Sequence, residues 1–294
     1  MKPSELFKSV KDYLKEVYFS KSKEIPDGIQ ADLHVHPYIT DKESLEHTLQ
    51  VMDENGLDLI ALTTHGKGGR YEHDFWRVKE LAKAECDVED KGRLFTVNYN
   101  GKELNFIPGY EMYVTLEGVK GRIDMVSLMS EEGFVSEVEV GMNFKDYQKI
   151  SDKYDAVLTA AHPYTIWDPW PLPFRLAKEE ERNVIKEKIF SEVDSVDLVA
   201  TNALWMHISD SLVEEDYEKP LTNSDVHGKN RYARQKMGCS RNIFRELDFN
   251  SDKNLRKTLI TSLNSGDFEN YHNHLSPMQF FVQLCMGKKP IGFP

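Results

Sequence analysis

The chain is poor in cysteine, in long apolar runs and in positive charge, and each shortage removes a class of protein. Its three cysteines, Cys86, Cys239 and Cys285, are widely spaced and odd in number. They offer neither a disulfide framework nor a cysteine-based zinc knuckle. No apolar stretch approaches the roughly 20 residues of a membrane-spanning helix, and Met1 to Lys23 is charged throughout, without the apolar centre of a secretory signal. The expected setting is a reducing cytoplasm with no membrane partner. Lys plus Arg number 37 against 49 Asp plus Glu, a formal charge of −12. Tight nonspecific binding of DNA or RNA needs the opposite balance, so nucleic acid is a disfavoured partner, a local basic rim aside. A G-x-S-x-G elbow is also missing, which removes the usual signature of a covalent serine hydrolase.

What is present is a core and a pattern. A chain of 294 residues that is 40% hydrophobic can bury one large α/β domain. The pattern predicts an N-terminal amphipathic helix from Ser4 to about Ser20, with a polar linker to Asp27. Residues 28–294 then read as a single domain in which short apolar strands alternate with helices, the mark of a mostly parallel sheet or barrel. Predicted strands include Ile29–His34, Leu57–Thr63, Ala156–Ala161, Val196–Thr201 and Leu221–Asn223. Two further strands are expected around Asn100-Gly101, a hairpin signal, and separate strands over Tyr110–Leu116 and Ile123–Leu128. Predicted helices include Lys42–Asn55, Tyr71–Cys86, Asn143–Tyr154, a long charged one over Phe174–Val193, Asp210–Tyr217, Lys253–Ser265 and Pro277–Cys285. Trp167 to Pro173 reads as a proline-stiffened loop.

The strand ends carry the chemistry. In Asp32-Leu33-His34-Val35-His36 both imidazoles share one strand face, because side chains alternate with a period of two. Two neutral imidazoles side by side are half of a transition-metal site. His65 closes the run Leu57–Leu62, Glu111 follows Ile107-Pro108-Gly109-Tyr110, His162 closes Ala156–Ala161, and Asp225-Val226-His227 follows Leu221. If the strands form a barrel, all seven side chains meet at the rim formed by the strands' C-terminal ends. Seven N/O ligands exceed the needs of one tetrahedral ion and suffice for two, or for three, with Glu111 as the expected bridge. Mixed imidazole and carboxylate ligation suits Zn, Mn or Fe. Water between two such ions is a nucleophile at neutral pH, and the same ions neutralise phosphoryl oxygens, the combination that phosphoester hydrolysis requires. Asp225 is placed to orient or deprotonate that water.

In this order the motifs Asp32 to His36, Ala61 to His65, Pro108 to Glu111, Ala161 to Pro163 and Ser224 to His227 resemble the polymerase and histidinol phosphatase (PHP) superfamily, over about residues 30–240. The resemblance implies a distorted (β/α)7 TIM-like barrel with two or three divalent metal ions, and activity as a phosphatase, phosphodiesterase or nuclease. It adds Asp41 to the expected ligands, at the place of an Asp in a Ser-Asp-Gly stretch whose Gly is here Lys42. It adds Asp124 as well, where the family commonly has a His. The usual Thr-Asp-His reads Thr63-Thr64-His65, without the acidic neighbour.

Around the ligands, Lys67 and Arg70 in Gly66-Lys67-Gly68-Gly69-Arg70 suit a substrate phosphate and equally a solvated loop. Arg231 and Arg234 after His227 are similar candidates. Tyr38, Tyr164 and Trp167 flank ligands, as pocket walls or as packing. His272 and His274 read as surface residues, and His47 and His73 as helix-surface residues. The leading expectation is a metal-dependent phosphoesterase acting on a small phosphorylated metabolite or nucleotide. The alternatives are a C–N bond hydrolase on a similar barrel, weakened by the lack of a carboxylated-lysine context, and a metal-binding module without catalysis.

Overall fold

The computed structural model describes residues 25–65, 74–167, 174–199, 204–228 and 231–271. The expected helices at Ser4–Ser20 and Pro277–Cys285 lie outside them, as do Lys67, Arg70, His73, His272, His274 and most of the proline-rich loop. In chain order the strands are β1 (Ile29–Val35), β2 (Leu59–His65), β3 (Val88–Asp90), β4 (Phe95–Tyr99), β5 (Lys102–Thr115), β6 (Arg122–Leu128), β7 (Val157–Ala161), β8 (Thr165–Trp167), β9 (Phe174–Leu176), β10 (Ser195–Val199), β11 (Leu221–Asn223), β12 (Arg241–Phe244) and β13 (Phe268–Tyr271). The helices are α1 (Lys42–Glu54), α2 (Phe75–Glu85), α3 (Phe134–Glu137), α4 (Phe144–Lys153), α5 (Glu179–Ile185, continued by a π-helical turn, Lys186–Phe190), α6 (Leu204–Asp216), α7 (Arg231–Arg234) and α8 (Asp252–Ser265).

One sheet runs β11-β10-β7-β6-β5-β2-β1-β12-β13 and curls into a nearly closed, distorted TIM-like barrel. The sheet closes on itself where its β11 end passes β1. There the amide of Asp225 donates to the His34 carbonyl at 2.8 Å, and that of His36 to the Val226 carbonyl at 3.0 Å. The barrel thus closes through the two segments richest in candidate ligands. The expected mostly parallel order holds for β1–β2, β2–β5, β7–β10 and β10–β11. It fails at β6, which runs antiparallel to both β5 and β7. A short β5-to-β6 connection through Gly118 and Gly121 permits this reversal, since an antiparallel neighbour needs no crossover helix.

Three other differences are physical. The two strands expected on either side of Pro108-Gly109 are one, β5, because Gly109 lets it pass close to β2: a Cβ there would sit 2.8 Å from Thr63 Oγ1. The hairpin before it turns at Asn100 (φ 53°) and Gly101 (φ 80°), the paired left-handed conformation of a type I′ turn. The long helix expected over Phe174–Val193 is β9 followed by α5 and its π turn. β3, β8, β12 and β13 were not expected; all are short, and β3 and β13 are mostly solvent-facing.

Parity along the strands fixes which side chains enter the barrel. Leu59 and Ala61, Ile107, Val126 and Leu128, Val157 and Ala161, and Leu221 form one buried cluster, plugged by Leu255 and Leu259 of α8. His65, Glu111 and Asp124 share the parity of their strand-mates in that cluster and so face the same interior. β1 is the exception. Ala31 and Leu33 join the interior, but the register against β2 shifts between Asp32 and Val35. This irregularity turns Val35 outward, against Leu45 and Leu49 of α1. His34 and His36 thereby take the inward face.

Candidate metal centre

Side chains from successive strand ends converge. His34 and His36 come from β1 and the bridge after it, His65 ends β2, Glu111 lies in β5, Asp124 starts the reversed β6, and His162 follows β7. Asp225 and His227 follow β11. All except His65 and His227 are buried. His162 and Asp225 hold their positions with left-handed backbones, φ 32° and 45°, as does the neighbouring Tyr38 at 52°. Non-glycine residues in this region carry backbone strain, which here sits at the site.

The donor atoms fall into three groups whose members lie within 4.8 Å of one another: His36, His65 and His227; His34, His36 and Glu111; and Glu111, Asp124 and His162. His36 links the first two and Glu111 the last two. The spacing is that of ligands about a metal. Bonds of about 2.05 Å in a tetrahedron put neighbouring ligand atoms about 3.3 Å apart. His36 Nε2 lies 3.3 Å from each of His34 Nε2, Glu111 Oε2 and Asp225 Oδ1. His162 Nε2 is 3.4 Å from Asp124 Oδ2. Closer approaches join His65 Nε2 to His227 Nε2, 2.9 Å, and His65 Nδ1 to Glu111 Oε2, 2.7 Å. Glu111 Oε2, Asp124 Oδ1 and Asp225 Oδ1 are buried without a hydrogen-bond partner. A buried carboxylate oxygen without a donor is costly, and a cation relieves that cost.

The electrostatics agree. Burial pushes the Asp124 carboxyl well above the usual carboxylate range, and the charges of Glu111 and Asp225 add to this against the pull of His162. Burial opposes protonation of His162, but Glu111, Asp124 and Asp225 outweigh it and raise the imidazole to about 9. Burial works against the charge of Asp225 as well, yet His34, His36 and His227 hold it well below its usual range. Burial and the nearby His36 push His227 down to about 3. Without a metal, Asp225 is thus held as an anion by the neighbouring imidazoles, while Asp124 is held neutral. The donor set, hard oxygens with imidazole nitrogens, fits divalent ions of the first transition row.

The other expected site residues lie elsewhere. Asp41 is exposed and caps α1: its Oδ1 accepts from the Ser44 amide at 2.8 Å, and the Ser44 hydroxyl accepts from the Asp41 amide. Asp41 belongs to none of the three groups. Tyr164 is fully buried and donates its hydroxyl to Asp216 at 2.7 Å, away from the rim. Arg231 is exposed at the start of α7. Arg234 instead is buried, donating to the carbonyls of Pro37 and Tyr38 at 2.9 and 3.2 Å, and so fastens the turn after His36. Tyr38 remains beside the cluster, its ring 6.3 Å from that of His227. His47, expected on a helix surface, is buried.

Sequence reasoning gave no role to Asp197, Asn223 or Asn242. Asp197 Oδ2 lies 2.9 Å from His34 Nδ1. The signal was available: a lone carboxylate inside the apolar strand Ser195-Val196-Asp197-Leu198-Val199 needs a buried partner. Asp32 is likewise structural, taking donors from the amides of Ser224 and Gly238 at 3.1 and 2.8 Å.

No protein-family model matches the chain, and no curated protein matches it by sequence. Solved structures do match in fold. PsfC from Pseudomonas syringae superposes with a TM-score of 0.57 at 15% identity, over 89% of this chain and 98% of its own. Endonuclease Q, solved with a duplex carrying an abasic lesion at its active site, gives a TM-score of 0.50 at 17% identity, over 85% of this chain and 60% of its own. A Bifidobacterium adolescentis protein described as a metal-dependent phosphoesterase gives 0.44 at 12% identity, over 92% and 100%. The first two likenesses carry the fold alone. Among the described residues no helix is long and apolar enough to cross a membrane.

Proposed function

We propose that this chain is a metal-dependent phosphoesterase of the PHP type, acting on a small phosphorylated metabolite or nucleotide. The supporting observation is the shared membership of the donor groups: Glu111 serves two of them, and a carboxylate, unlike an imidazole nitrogen, would be shared between adjacent ions. His34, His36, His65, Glu111, Asp124, His162, Asp225 and His227 would hold two or three ions of Zn, Mn or Fe. Bound there, the ions would activate water and neutralise charge on phosphoryl oxygens during in-line displacement. Glu111 spans the groups, with Oε1 3.6 Å from His34 Nε2 and 3.7 Å from His162 Nε2, and would hold the ions of both. Asp225 is the anionic group beside His36 and orients water or takes its proton. Its main chain is hydrogen-bonded to β1, so the carboxylate cannot drift from the imidazoles. The net charge of −12 favours a small anionic substrate, held by local cations, over long nucleic acid.

The test is phosphate release from a panel of phosphomonoesters and phosphodiesters by protein loaded with Mn or Zn, beside His36→Ala and Asp225→Asn. Release by wild type that disappears in both variants supports the reading. Release of an amine from amide substrates would replace it with C–N hydrolysis. Stoichiometric metal without any turnover would replace it with a metal-binding module.

A further inference from the structure

Behind His34 lies a chain of buried amides and a carboxylate whose every orientation is fixed by main-chain donors. The Thr222 amide donates to Asn242 Oδ1 at 2.8 Å. The amide end of Asn242 therefore faces Asn223 and donates to its Oδ1 at 2.9 Å. The Leu33 amide donates to that same oxygen at 2.7 Å. Asn223 must then present its NH2 to Asp197 Oδ1, at 2.7 Å. One acceptor, Oδ2, is left, and it meets His34 Nδ1 at 2.9 Å. Asn223, Asn242, Asp197 and His34 are all at most 1% exposed, so water does not substitute for any of these contacts.

We infer that this relay is a positioning device: the backbone amides of Leu33 and Thr222, acting through Asn242, Asn223 and Asp197, fix His34 as the Nδ1–H tautomer. The inference rests on the metal-centre reading and extends it. An imidazole protonated at Nδ1 keeps its Nε2 lone pair, and His34 Nε2 is the atom that faces His36, Glu111 and Asp225. The relay also lies at the seam of the barrel, where β11 meets β1 through these side chains. Barrel closure and ligand tautomer are thus set by the same hydrogen bonds.

The donor–acceptor order makes a sharp test possible. Asp197 accepts from both sides, whereas Asn at that position must aim an NH2 at one of two donors. Asp197→Asn is expected to lose metal affinity by about 10- to 100-fold, read by competition with a chromophoric chelator for Zn. The swap Asp197→Asn with Asn223→Asp restores a consistent order. The carboxylate placed at position 223 then accepts from Leu33, Asn242 and the new amide at position 197, whose oxygen accepts from His34. The swap keeps the net charge, and is expected to recover most of the affinity. Imidazole 15N shifts in the Zn-loaded proteins report the tautomer directly: Nδ1–H at His34 in wild type and in the swap. Wild type that binds no metal overturns the metal centre and the relay's role together. Wild type that binds while Asp197→Asn binds equally well overturns the relay alone, as does a swap that folds with the wild-type unfolding midpoint yet stays as weak as Asp197→Asn.

Discussion

Glu111→Gln separates a shared-ligand centre from a set of independent sites. Glu111 belongs to two of the three donor groups, and its two oxygens approach four imidazoles: His34 and His162 from Oε1, His36 and His65 from Oε2. Gln keeps the shape, removes the charge and turns an NH2 toward one of these rings. Two groups each lose one anionic ligand at once. Asp124→Asn alters only the group of Glu111, Asp124 and His162. An ion present at 100 times its dissociation constant stabilises the fold by about 2.7 kcal/mol, so two such ions contribute about 5.4 kcal/mol. For a chain of this length 1 kcal/mol moves the unfolding midpoint by about 2 °C. The metal-dependent rise in midpoint should therefore shrink by about 10 °C in Glu111→Gln and about 5 °C in Asp124→Asn. Scanning calorimetry with and without Mn, each against a chelated control, reads both. A loss in Glu111→Gln no larger than that in Asp124→Asn would refute the shared ligand.

Three further predictions follow from residues outside the cluster. Asp41→Ala removes the cap of α1 and should cost about 1 kcal/mol of stability by urea unfolding, with metal content unchanged; metal loss would make Asp41 a ligand after all. Tyr164→Phe deletes only the hydroxyl bonded to Asp216 and should cost about 1 kcal/mol while leaving the KM for a phosphoester unaltered; a raised KM would return Tyr164 to the substrate pocket. Burial works against the Glu181 carboxylate, but Arg175 and the amides of Lys178 and Lys120 outweigh it and hold the group down to about 2. A carboxylate whose pKa is depressed on folding adds stability above its unfolded value, near 4.3, and loses it as pH falls toward about 2. Glu181→Gln should therefore be less stable than wild type by about 1–2 kcal/mol at pH 7, after discounting for solvent screening. The gap should close between about pH 4.5 and 2; a gap that persists at pH 2 contradicts the ion pair as its source.

The candidate ligands were readable because they obey simple spacing. His34 and His36 share a face by the period of a strand, and His65, Glu111, His162 and Asp225-Val226-His227 each follow an apolar run. Asp124 came from the motif order, and its place at the rim depends on the reversal of β6, which no local pattern announces. The irregularity in β1 that turns the histidines inward is also silent in the sequence. Asp41 lies outside the donor groups and caps α1, a role that an acidic residue soon after a His pair serves with the same side chain. Tyr164 turns to Asp216, since nearness in sequence to His162 says nothing of which side of the strand end a side chain takes. The relay through Asp197, Asn223 and Asn242 joins β10, β11 and β12, and such long-range polar pairing is invisible until the strands are placed. β3, β8, β12 and β13 escaped because segments of three or four residues have little periodicity to register; β11, as short, was marked by the ligand motif that follows it.

The most direct test of a multi-histidine metal centre is X-ray absorption at the edge of the metal bound by protein loaded with Mn or Zn. The account predicts nitrogen and oxygen ligands at about 2.0–2.2 Å, with the outer-shell scattering of several imidazoles, all altered in His36→Ala. A sulfur shell at about 2.3 Å, or a spectrum with no imidazole scattering, would contradict it.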